Sequence, residues 1–93
     1  MQRMAVVSKR VVYSGRVQGV GFRFTAKGLA ASHPVTGYVR NLPTGEVELV
    51  AEGESDRVEA FLAAVARRMA DYITNTTVED AAPTGQTGFQ IRH

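Results

Sequence analysis

Apolar residues change period repeatedly along this chain. Over residues 10–17 the β-branched and aromatic side chains Val11, Val12, Tyr13 and Val17 predict a strand, and Gly15 begins a loop. Phe22, Ala26, Leu29 and Ala30 then stand at i, i+4, i+7 and i+8, one face of a helix of roughly three turns. Pro34 disfavours helical backbone at His33, so that helix is expected to stop near Ser32. Residues 36–42 and 46–52 read as two strands joined by a Pro43-Thr44-Gly45 turn, hence a hairpin. In the second of them Val47, Leu49 and Ala51 alternate with Glu46, Glu48 and Glu52, so the acidic row is expected to face solvent. Ser55 or Asp56 is a candidate cap for a second helix, on which Val58, Phe61, Leu62, Val65 and Met69 form a core-facing stripe. Weaker β signals occupy residues 73–78, followed by a Pro83-Thr84-Gly85 turn and a short strand holding Phe89 and Ile91.

The order strand, helix, strand, strand, helix, strand predicts an α+β fold of the ferredoxin-like βαββαβ type: two helices on one face of an antiparallel sheet, with a short extra C-terminal strand. Residues 9–93 are read as one domain, and residues 1–8 as an N-terminal extension that is a candidate for disorder. Because this architecture hosts many activities, function has to be sought in particular residues.

Composition narrows the field. With 93 residues, 44% of them hydrophobic, one modest core is expected. There is no cysteine, and the two histidines, His33 and His93, lie far apart, so a metal site is not expected. The start MQRMAVV has no sustained apolar stretch, and no run long enough to span a bilayer occurs, which predicts a cytoplasmic protein without a membrane partner. The net charge of +2 conceals an uneven distribution: residues 1–45 carry seven cations and no acid, whereas residues 46–93 carry nine acids and four cations. This asymmetry points to an anionic partner for the first half, a small phosphate or a nucleic acid.

The stretch GRVQGVGFR, residues 15–23, sharpens that choice. It places three glycines and two arginines at the approach to the first helix, where Ser, Thr, Asp or Asn would ordinarily satisfy the unpaired backbone N–H groups. Arg23 falls in the first turn and Lys27 one turn later, against the helix dipole, each at a cost of ~0.3–1 kcal/mol that a bound anion would reverse. Glycines 15, 19 and 21 allow successive amides to converge on one point, with Arg23 adding a planar fork of donors. On the residues alone, a turn with three conformational glycines and a solvated arginine is the reading that an arbitrary glycine-rich loop favours. Nucleotide loops fit poorly: Gly21 precedes Phe22-Arg23 rather than Lys-Ser or Lys-Thr, and Phe24 stands where a dinucleotide fingerprint has its third glycine. GVGFRF, residues 19–24, also resembles the aromatic segment of RNA-recognition motifs, so an RNA-binding module is the alternative. That segment belongs on a third strand, however, and here the third strand EVELVAE is acidic and lacks aromatics.

GRVQGVGFR together with GYVRNLPTGEVELVAEG, residues 37–53, resembles the two signatures of the acylphosphatase family in order and separation, and the resemblance extends over residues 9–92. It implies a small hydrolase that cleaves the carboxyl-phosphate bond of acyl phosphates to carboxylate and inorganic phosphate as a monomer, with no metal or other cofactor and no nucleic-acid partner. It places the catalytic arginine on Arg23 and the catalytic asparagine on Asn41. The phosphate-binding cradle falls on Arg16, Val17, Gln18, Gly19, Val20, Gly21, Phe22 and Arg23. His33-Pro34 departs from the family pattern before the second signature, where leucine and glycine are usual.

Several other residues are expected to be structural. Tyr13 and Tyr38 read as packing residues with a polar tip, and Phe22, Phe24, Phe61 and Phe89 as core. Arg16 and Arg40 are candidates for steering substrate. His33 is expected at a helix end, without an acid or base role.

Overall fold

Val11 and Tyr13 of β1 (Val6–Gly15), Val39 of β2 (Thr36–Asn41) and Val47, Leu49 and Ala51 of β3 (Val47–Glu54) are all at most 1% exposed. Strand alternation puts them on one face of a sheet. Against that face lie α1 (Phe22–Ala30), through Phe22 and Ala26, and α2 (Ser55–Arg68), through Val58, Phe61, Ala64 and Val65. The sheet is completed by β4 (Ile73–Asp80) and β5 (Phe89–Arg92) in the order β4-β1-β3-β2-β5. Neighbours are antiparallel except β2 and β5, which pair parallel. The computed structural model describes residues 5–93, and the expected fold of two helices on one sheet face is the fold observed.

Aromatic contacts join the layers: Tyr13 and Phe22 ring centroids are 4.8 Å apart, and Phe61 meets Phe89 edge-on at 5.3 Å. The α2 stripe packs as its spacing predicts, with Leu62 half-buried at the margin and Met69 in the core. His33 lies against Phe61 at the end of α1, as a helix-end residue should, with its N–H donating to Ala30 O.

Where structure and sequence pattern differ, tertiary context is the cause. β1 starts at Val6, so residues 6–8 of the expected extension are paired with Glu54, Gly53 and Glu52, whereas residues 1–4 of that extension lie outside the described residues. The N-cap position of α2 belongs to Glu54, and neither Ser55 nor Asp56 makes a capping bond, because β3 runs directly into the helix. Phe24 is 74% exposed rather than core. Two residues beyond Phe22 on a helix is about 200° of rotation, which turns it away from the buried stripe.

The acidic row is the largest difference. Glu48 and Glu52 are 3% and 6% exposed, not solvated. β3 is the central strand, so its outer side chains are covered by neighbours on both sides. Glu48 lies between Arg10 and Arg40, each at 2.6 Å. Glu52 is covered by the connection from β4 to β5, which must cross the whole sheet. Along that crossing Ala81 N–H donates to Ser8 O, Thr84 N–H to Glu52 Oε1 at 2.6 Å, and the Gln86 amide to Gly37 O at 2.8 Å.

Candidate active site

The loop between β1 and α1 is anchored at its root. Gly15 adopts φ 123°, and a Cβ there would lie 2.3 Å from the Tyr72 carbonyl oxygen, so only glycine permits this approach. Arg16 N–H donates to that same carbonyl at 2.9 Å. The Arg16 amide is therefore committed to the protein, which removes it from the expected cradle; its guanidinium lies 5.8 Å from the Tyr72 ring. Val17, fully buried, pins the next residue to the core.

Beyond Val17 the backbone turns outward. Gly19 and Gly21 have φ 76° and 79°, the left-handed region in which consecutive amides can point to one side. Gly21 is the N-cap residue of α1, no side chain caps that terminus, and no acid occupies its first turn. The helix entrance thus retains unpaired N–H groups and positive potential together with Arg23.

Gln18 joins this loop to the β2–β3 hairpin. Its side-chain amide donates to Leu42 O at 2.8 Å and to Glu46 O at 2.9 Å, on either side of the Pro43-Thr44-Gly45 turn. Asn41, the last residue of β2, is thereby held next to the loop. Val17, Gly19, Gly21, Phe22, Arg23, Phe24 and Asn41 line one pocket of about 110 Å³, several times the ~10–15 Å³ that one water needs. Arg23 and Asn41, 18 positions apart in the chain, meet there. Gln18 contributes through its strut, while Arg16 and Val20 do not border the pocket.

Electrostatics single out Arg23. Lys9 pairs with Asp80, Arg10 with Glu48 and Glu79, and Arg40 with Glu48, so the acids of the second half of the chain neutralise much of the positive first half. Arg40 is thus tied to Glu48 and is not the free steering cation expected from its position. Burial pushes the Glu48 carboxyl up, but hydrogen bonds from Arg40 and Arg10 outweigh it and hold the group below the ordinary range. Arg23, Arg16 and Lys27 have no acidic partner within salt-bridge distance among the described residues. Arg23 Nη1 makes one long side-chain contact within hydrogen-bond range among the described residues, 3.4 Å to His93 Nδ1. Cation, open amides and a neutral amide side chain therefore converge on a pocket suited to a tetrahedral anion.

A family model described as Acylphosphatase matches residues 9–91. The chain belongs to the acylphosphatase family. An acylphosphatase of Methanospirillum hungatei is 42% identical over 88 residues, covering 90% of this chain and 97% of the relative. Among solved structures, the acylphosphatase from Bacillus subtilis aligns with a TM-score of 0.84 at 29% identity, over 96% of this chain and all of that one. An acylphosphatase from Coxiella burnetii aligns at 0.83 and 29% identity, over 99% of this chain and all of that one. The RNA-recognition alternative finds no support in these likenesses. For this member of the family, the pattern of residues did not disclose Gln18 as a strut, since its partners lie 24 and 28 positions away. The exposure of Phe24 was signalled by its place off the helical stripe.

Proposed function

We propose that this chain hydrolyses acyl phosphates at the pocket shared by Arg23 and Asn41, with the amides from Gly19 through Arg23 and the Arg23 guanidinium holding the phosphoryl group. The observation that carries the reading is the meeting of these two residues beside an uncapped, acid-free helix N-terminus. Fixed donors are worth most where charge is spread over three phosphoryl oxygens and no reorganisation is needed during reaction.

The leaving group simplifies the chemistry. A carboxylate is the anion of an acid with pKa ~4–5, by analogy with Asp and Glu, so it departs without a proton donor. Asn41 can accept from a water and donate to a phosphoryl oxygen, fixing the water in line with the bond to be broken. The water oxygen bonds to phosphorus as the bond from phosphorus to the acyl oxygen breaks; the electron pair leaves with the carboxylate, and the water proton passes to a phosphate oxygen. Asn41, a neutral amide, orients the water and takes no proton itself.

Phosphate release from benzoyl phosphate in the presence of a chelator, with inorganic phosphate as competitor, tests the reading. The expected result is chelator-resistant turnover competitively inhibited by phosphate. Asn41→Ala is expected to lower kcat by ~10² or more with a much smaller change in KM. Full turnover with only a raised KM would refute the water-positioning role.

A further inference from the structure

Beside the phosphate pocket runs a larger groove of about 500 Å³, lined by Phe24, Thr25, Gly28, Leu29, Ser32 and Arg68. Phe24 borders both, so a single aromatic ring lies between the two spaces. We propose that this groove is the acyl-group subsite, and that it selects acyl phosphates whose acyl portion is an apolar or aromatic group bearing an anionic substituent. The inference rests on the hydrolytic reading above.

Three features of the groove lead there. Phe24 presents 74% of its surface to solvent in the first turn of α1, next to the residue assigned to phosphate, where its ring is free to stack on an aromatic acyl group. Gly28 sits inside α1, where glycine is disfavoured relative to alanine. It has no positive φ to accommodate, and a Cβ there would meet nothing within 4 Å. Neither backbone conformation nor packing calls for glycine, and its effect is to leave the groove floor as bare helix backbone, with Leu29 as a half-buried apolar neighbour.

Charge adds a second preference. Arg68, in the last turn of α2, is the one charged residue lining the groove, and it has no acidic partner within salt-bridge distance among the described residues. Four cations elsewhere, Lys9, Arg10, Arg40 and Arg57, are each paired. Positions 24 to 32 of the helical segment span ~12 Å, far beyond the reach of an acetyl group. An acetyl phosphate would therefore leave the groove to water, whereas a benzoyl group covers Phe24 and a carboxylate carried on its ring is within the field of the Arg68 charge.

Steady-state kcat/KM for acetyl phosphate, benzoyl phosphate and 4-carboxybenzoyl phosphate, in wild type, Phe24→Ala, Gly28→Leu and Arg68→Ala, tests the proposal. Phe24→Ala is expected to lower the benzoyl-to-acetyl ratio about three- to tenfold, the value of one aromatic contact. A Cβ at position 28 meets nothing within 4 Å, so Gly28→Leu projects a side chain into the groove and is expected to lower the same ratio. Arg68→Ala is expected to lower the ratio of carboxybenzoyl to benzoyl by up to about fivefold, as an exposed ion pair allows. Ratios unchanged in all three variants, with wild type active on every substrate, would overturn the subsite while leaving the hydrolytic reading intact. A wild-type protein that turns over none of the three would overturn both.

Discussion

Gln18→Ala is the most informative perturbation of the proposed phosphate site, because it removes a connection without touching the pocket lining. Two neutral hydrogen bonds, of 2.8 and 2.9 Å, are lost. Each contributes about 1 kcal/mol net. Neither acceptor is orphaned: Leu42 O still accepts from Gly45 N–H at 3.1 Å, and Glu46 O from Leu42 N–H at 2.8 Å. No desolvation penalty is added, so the expected destabilisation is ~1–2 kcal/mol, or roughly 5–15 °C in Tm for a domain of this size. Catalysis suffers separately, since the strut sets the distance from the loop to Asn41, and a shift of about 1 Å can cost on the order of 10² in rate. We expect kcat/KM for benzoyl phosphate to fall ~10- to 100-fold at a temperature where the variant is fully folded. Gln18→Glu should be worse than Ala, because a carboxylate cannot donate to either carbonyl and adds negative charge beside the anion site. Thermal melts by circular dichroism and steady-state kinetics read both effects. A Gln18→Ala protein melting within about 1 °C of wild type and keeping kcat/KM within about twofold would refute the strut.

Arg23→Ala should separate function from stability: turnover falls by ~10² to 10³ or more, while Tm holds or rises slightly, as a first-turn cation costing ~0.3–1 kcal/mol is removed. A large fall in Tm would show that Arg23 is a structural residue. Glu48 and Glu52 are both held below the ordinary carboxylate value of 4.5, Glu48 by Arg40 and Arg10 and Glu52 by Thr84 and Ser8, in each case against the upward push of burial. As pH falls below that value the unfolded chain takes up these protons first, so stability present above it is lost progressively as pH drops through the lower folded values. Urea melts between pH 7 and 3 should show that decline, and Glu48→Gln should flatten it; an unchanged slope would refute the assignment. Gly15→Ala forces a Cβ to 2.3 Å from Tyr72 O at φ 123°, so a loss of at least ~2 kcal/mol is expected from denaturant titration.

The order of elements, the two helical stripes and the hairpin turn were legible in the residues, because the periods of strand and helix are local properties and the chain obeys them. The candidate site was legible as well, in the glycines of residues 15–23 and in the arginine set against its helix dipole, since a local rule broken without local compensation marks a place where something else must bind. What tertiary structure decided is where the polar groups find partners. Alternation showed that Glu48 and Glu52 share a face but not that this face is closed, which depends on Arg10, Arg40 and the β4–β5 crossing arriving from distant parts of the chain. In the same way Arg40 was assigned to Glu48, the Arg16 amide to Tyr72, and Gln18 to the hairpin turn. Arg23 remained the cation facing the pocket because burial and pairing are sums over neighbours in space, and sequence spacing carries no information about which neighbours those will be.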